Sequence, residues 1–241
     1  MTSVLKVKLP AAIAIVALAS YVVFLEVEAS QDSDDKIGSS AVWDPGDQAL
    51  QQIRESCKNG DPEDHTQCFI DHMVDAGASA EAVEFTQEYA QEHSGTIAIL
   101  KNFHPLDAVD LGQAYFPEDK DEPWSVLLLN GLPEILDTSD VKLLPLKELA
   151  LNPQYTALRG AHPQIGLFPG EDAHPSEASP QMQKLSGGGQ RFVIDYTLRE
   201  GCASCNPLGR ATFSFDFNPA GQFQGARLIK VEPASALGPG K

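Results

Sequence analysis

"FVIDYTLREGCASCNPLGRATFSFDFNPAGQFQGARLIKV", residues 192–231, decides the fold. Phe192, Ile194, Tyr196 and Leu198 occupy alternate positions, and Phe213, Phe215 and Phe217 alternate with Thr212, Ser214 and Asp216. Strand side chains point to opposite faces in turn, so each run predicts a strand with one apolar face. Asn218-Pro219-Ala220-Gly221 puts Asn, Pro and Gly where a type I turn prefers them. The returning run starts with Phe223 on one parity and continues with Ala226 and Leu228 on the other, which predicts a bulge at Gly225. The expectation is an antiparallel meander over 192–200, 210–217 and 222–231.

Upstream the period changes. Leu50, Ile53 and Cys57 share a helical face, with Asp44 as cap, Pro45 at the first position and Asp47 at the positive end. "KNGDPED" breaks that helix. A second helix carries Cys68, Phe69, Ile70, Met73 and Val74 and ends at Gly77. Ser79 caps a third, whose inner face uses Ala82, Phe85 and Tyr89. "TIAILKNF", "VDLGQAYF" and "WSVLLLNG" then read as strands, and 144–151 as one short helix. Residues 161–190 hold three Pro-containing turns and Gly187-Gly188-Gly189 and read as a long mobile loop. Together these predict one α+β domain over 44–232. Its helices lie at about 44–92, on a mostly antiparallel sheet at about 96–232 that ends in the meander. Residues 30–43 are expected to form an acidic disordered linker and 233–241 a loose tail.

The first 29 residues read as an export signal or an N-terminal membrane anchor. Lys6 and Lys8 precede the apolar run 9–25, and Val27-Glu28-Ala29 suits cleavage after Ala29. The run is long for a signal core and short for a span, and the balance tips slightly to a retained anchor. Either way the rest of the chain is expected outside the cytoplasm, periplasmic or facing the periplasm from the inner membrane.

Charge is divided unevenly. Residues 30–140 carry 24 Asp or Glu against 5 Lys or Arg, and 141–241 carry 8 against 10, within a chain total of −17. That balance repels nucleic acid, which is excluded as a partner, and suits a soluble exported surface. The partners expected are a protein or small ligand, and the membrane if the N-terminal segment is retained.

Cys57, Cys68, Cys202 and Cys205 are the four cysteines. A thioredoxin-type Cys-x-x-Cys needs a helix N-terminus at its first thiol, whereas "NPLGR" and a strand follow Cys205. Covalent haem attachment needs His where Asn206 stands. Exported thiols pair, so the local pairing is expected: Cys57 with Cys68 across two helices, Cys202 with Cys205 across a strand connection. Loop closure is worth about 2.8 kcal/mol for the first ring and about 1.9 kcal/mol for the second.

Other chemistry is thin. His65 and His72 lie seven apart with Asp71 or Asp75 nearby, which suggests a metal only weakly, and surface histidines are the plainer reading. His104, His162 and His174 each precede Pro, in turns or extended links. "SGGGQR" (186–191) lacks the Lys and preceding strand of a phosphate loop. The acids Glu118, Asp119, Asp121 and Glu122 sit in a Pro-bounded turn before Trp124, and Trp43 and Trp124 are read as core or capping aromatics. No catalytic residue, cofactor or metal ligand is assigned.

The segment "QRFVIDYTLREGCASCNPLGRATFSFDFNPAGQF" resembles the C-terminal part of uncharacterised exported bacterial proteins with a CxxC before a Phe-rich hairpin. That resemblance brings no activity with it. The function expected is therefore non-enzymatic binding or scaffolding in the cell envelope. The alternatives are thiol–disulfide exchange at Cys202 and Cys205, or a hydrolase with an unrecognised site.

Overall fold

The computed structural model describes residues 36–58, 62–119, 123–169 and 180–234. The segment expected to be an export signal or membrane anchor, the cleavage point expected after Ala29 and the tail beyond 234 lie outside them, as do Asp121, Glu122 and His174. No helix among the described residues is long and apolar enough to cross a membrane.

Three helices come first: α1 (Asp47–Cys57), α2 (Pro62–Asp75) and α3 (Ala80–Glu92). Leu50, Ile53 and Cys57 are buried along α1, and Ala82, Phe85 and Tyr89 along α3. Ser79 caps α3 by accepting from the Ala82 N–H at 3.1 Å. The cap expected at Asp44 is displaced. Gly46, with φ 82°, precedes α1, and the Asp44 carboxylate instead accepts from the Gly46 N–H and the Lys101 ammonium. Val74 also departs from its expected inward face, at 57 % exposed, while Phe69 and Met73 are buried.

The helices cover a four-stranded antiparallel sheet, β1 (Ile99–His104), β2 (Asp110–Tyr115), β3 (Trp124–Leu129) and β4 (Ile135–Asp137), in that order. Two short helices follow, α4 (Leu146–Leu151) and α5 (Pro153–Ala161). The first is the short helix expected over 144–151; the second was not expected, and Asn152 caps it by accepting from the N–H groups of Gln154 and Tyr155, with Pro153 at the first position.

The second sheet is antiparallel, with β5 (Ile165–Pro169), β7 (Gln190–Glu200), β8 (Pro207–Phe217) and β9 (Phe223–Pro233) in line and β6 (Gln181–Lys184) also on β7. The meander is there. Asp216 pairs with Gly225 and Phe217 with Phe223, leaving Gln224 as the extra residue of the bulge expected at Gly225, whose φ is 113°. The Gly221 N–H closes the turn onto the Asn218 carbonyl at 3.0 Å.

Two expectations are corrected. The described parts of the 161–190 loop contain β5 and β6, and Gly187-Gly188-Gly189 turns β6 into β7. These are edge strands on β7, and "QMQK" in β6 is almost wholly exposed, so no apolar pattern announced it. Gly189 is required there, because a Cβ would sit 2.2 Å from the Phe217 carbonyl oxygen. The linker expected to end at 43 is packed from Lys36 on: Ile37, Ala41 and Trp43 are buried, and the Asn130 amide holds both backbone groups of Ile37.

The apolar sheet is not one sheet but two, packed face to face. Leu111, Val126, Leu128 and Leu136 of the first meet Phe192, Ile194, Tyr196, Leu198, Phe213, Phe215 and Phe217 of the second in one core. On the other face of the first sheet, Leu100, Leu127, Leu129 and Ile135 meet Phe85 and Tyr89 of α3. The order of layers is helices, sheet, sheet. The Gln190 side chain joins the two sheets, accepting from the N–H groups of Ala108 and Val109 and donating to the Val109 carbonyl at 2.8–2.9 Å.

Candidate functional site

A cleft of about 770 Å³ opens where the C-terminal end of α3 passes the end of β4. Tyr89, His93, Glu118, Asp137, Asp140 and Lys142 are among its lining residues. Tyr89 stands in the last turn of α3 and His93 follows as its C-cap four residues on, and their rings stack at 3.9 Å and 6°. The Tyr89 carbonyl can only accept, so the His93 Nδ1 at 2.9 Å from it carries the proton and Nε2 is left as an acceptor in the neutral ring.

Asp137 is the fixed point of the cleft. It is buried at the end of β4. Its Oδ2 accepts from the Tyr89 hydroxyl at 2.6 Å, and its Oδ1 accepts from the Ser125 hydroxyl at 2.5 Å and the Ser139 N–H at 2.8 Å. Burial, reinforced by the Asp137 charge, pushes the Tyr89 phenol well above its usual range, so Tyr89 remains a donor. Thr138, next in the chain, accepts at its carbonyl from the buried Tyr196 hydroxyl of the second sheet. One short segment, 137–139, thus ties α3, β3 and β7 together.

The cysteines pair as expected, Cys57 with Cys68 and Cys202 with Cys205. Cys202 and Cys205 lie in the half-exposed turn between β7 and β8, with no helix N-terminus to favour a thiolate at Cys202. Arg199 donates to the Cys205 carbonyl at 2.5 Å and anchors that turn.

The histidines are scattered. His65 Nε2 lies 2.9 Å from Glu118, and His162 Nδ1 lies 2.9 Å from Glu200, while His104 ends β1 opposite Leu111. Asp71 accepts from Gln67 on α2 rather than joining His65 and His72. His72 stands instead beside the Cys57–Cys68 sulfurs. Trp43 is buried, its backbone N–H donating to the Leu100 carbonyl, and Trp124 packs at 4.9 Å on Tyr115.

Sequence reasoning missed Asp137, Ser125 and His93. The one local signal was the Tyr89–His93 spacing at the end of a helix. Asp137 reaches Tyr89 across 48 residues, and no pattern in "PEILDTSD" reports that. No protein-family model matches the chain, and no curated protein or solved structure matches it.

Proposed function

We propose that this chain is an exported cell-envelope protein that binds a protein or small ligand at the α3–β4 cleft and does not transform it. The observation that carries the reading is the state of Asp137. Its side chain is held by three donors of the fold, which makes it a rigid floor for a binding site. Export is supported by the two local disulfides, which persist in oxidising compartments, and by the apolar run 9–25 behind Lys6 and Lys8. The resemblance of residues 190–223 to uncharacterised exported bacterial proteins agrees with that placement. Glu118, Asp137 and Asp140 set the sign of the cleft against anionic ligands.

The test has two arms on the full chain. Externally added protease should degrade it once the outer barrier of the cell is opened, while a cytoplasmic marker stays intact. Purified protein should gain thermal stability from a compound or partner in a screen, and His93→Ala should reduce that gain. Reproducible turnover of peptide, ester, glycan or phosphate substrates would overturn the non-enzymatic reading.

A further inference from the structure

Cys57 at the end of α1 and Cys68 and His72 on α2 converge more closely than a staple requires. The two sulfurs and an imidazole nitrogen of His72 all lie within 4.8 Å of one another. Cys68 and His72 are four residues apart on one helix, so their side chains project from the same face. Cys57 is buried and presents its sulfur from the facing helix. A disulfide alone needs the two cysteines and has no use for the ring.

We propose that Cys57, Cys68 and His72 form a redox-gated site for a thiophilic divalent cation, zinc in the first instance. In the oxidised chain the sulfurs are bonded to each other and cannot ligate. A dithiol reductant opens the bond: two electrons and two protons pass to Cys57 and Cys68, and the reductant leaves as its own disulfide. Zinc then displaces the two thiol protons and takes two thiolates and the neutral imidazole as ligands. With zinc–sulfur bonds of about 2.3 Å and zinc–nitrogen bonds of about 2.0–2.1 Å, a tetrahedral ion sets its two thiolates about 3.8 Å apart, so the reduced sulfurs must part from their bonded 2.07 Å while His72 stays within reach. Cys68 and His72 are only half-buried, so the fourth position opens to solvent and takes water or an exchangeable ligand. Two thiolates and one imidazole select zinc over calcium or magnesium, which take oxygen ligands.

The experiment uses the full chain with Cys202→Ser and Cys205→Ser, which removes the other thiols. Cobalt(II) is titrated as a spectroscopic stand-in for zinc, before and after reduction by a non-chelating phosphine, with helix content followed by circular dichroism. The expected result is one cobalt per reduced chain, with a thiolate-to-cobalt absorption band that zinc abolishes and that the oxidised chain lacks. His72→Ala should weaken cobalt binding by about tenfold or more, as loss of a ligand demands. Restoration of lost helix by the metal would agree with the site. A reduced chain that shows no such band, folded or unfolded, would overturn the proposal, as would cobalt binding unchanged by His72→Ala.

Discussion

β3 from Ser125 onward and β8 from Ala211 onward are both buried, yet they are written in different chemistry. After Ser125, β3 is Val126, Leu127, Leu128 and Leu129 without a break, whereas β8 alternates phenylalanines with Thr212, Ser214 and Asp216. β3 lies in the middle layer, between the second sheet on one face and α3 on the other. Both of its faces must therefore be apolar. The outer face of β8 is covered by side chains of its own sheet. Arg191 and Arg227 lie over Asp216, and Asp195 accepts from the Thr212 hydroxyl and from Arg210. Burial under a packed layer demands apolar atoms; burial under neighbouring charged chains demands satisfied hydrogen bonds.

The largest effects should fall where both sheets meet. Phe213→Ala removes a fully buried ring that stacks edge-on against Tyr196, and should cost about 3–5 kcal/mol in urea unfolding. Leu127→Ala and Leu128→Ala empty opposite faces of β3 and should each cost about 2–5 kcal/mol. A Leu127→Ala loss no larger than about 0.5 kcal/mol, the level of an exposed site, would break the claim that helices cover that face.

The two disulfides sharpen the same contrast between the helical side and the meander. Replacing Cys57 and Cys68 with Ser should cost about 2.8 kcal/mol, against about 1.9 kcal/mol for Cys202 and Cys205, because the first closes the longer ring. Thermal unfolding of the two double variants ranks them. An equal loss in both would mean that ring length does not govern their contribution.

The smallest effect is electrostatic and belongs to the outer face of β8. Arg191 donates to both oxygens of Asp216 at 2.7 Å and holds that carboxyl below its usual range. A depressed folded pKa stabilises the fold above the unfolded value of about 4 and loses that contribution as pH falls through the lower folded value. Asp216→Asn should therefore cost about 1–2 kcal/mol at neutral pH, with the difference from the parent vanishing below the folded pKa. A gap that persists undiminished at low pH would show that the loss is packing rather than charge. Asp44, held low by Lys101, titrates in the same direction, but it is exposed and its share is smaller.

Much of the fold was legible because it is local. Strand alternation at Phe192–Leu198, the turn at Asn218, the bulge at Gly225 and the Ser79 cap are each settled within a few residues of chain. The disulfide pairing was legible for the same reason, since each pair closes a short connection. Three things were decided only in tertiary structure. Leu127 and Leu128 are equally apolar, so their composition does not say that they point into different layers. The edge strand Gln181–Lys184 has a single apolar residue, Met182, too few to show a period, and is held by its hydrogen bonds to β7. The Tyr89–Asp137 bond and the approach of His72 to the Cys57–Cys68 pair depend on where whole helices settle, and helix docking is fixed by the summed burial of many side chains rather than by any local motif.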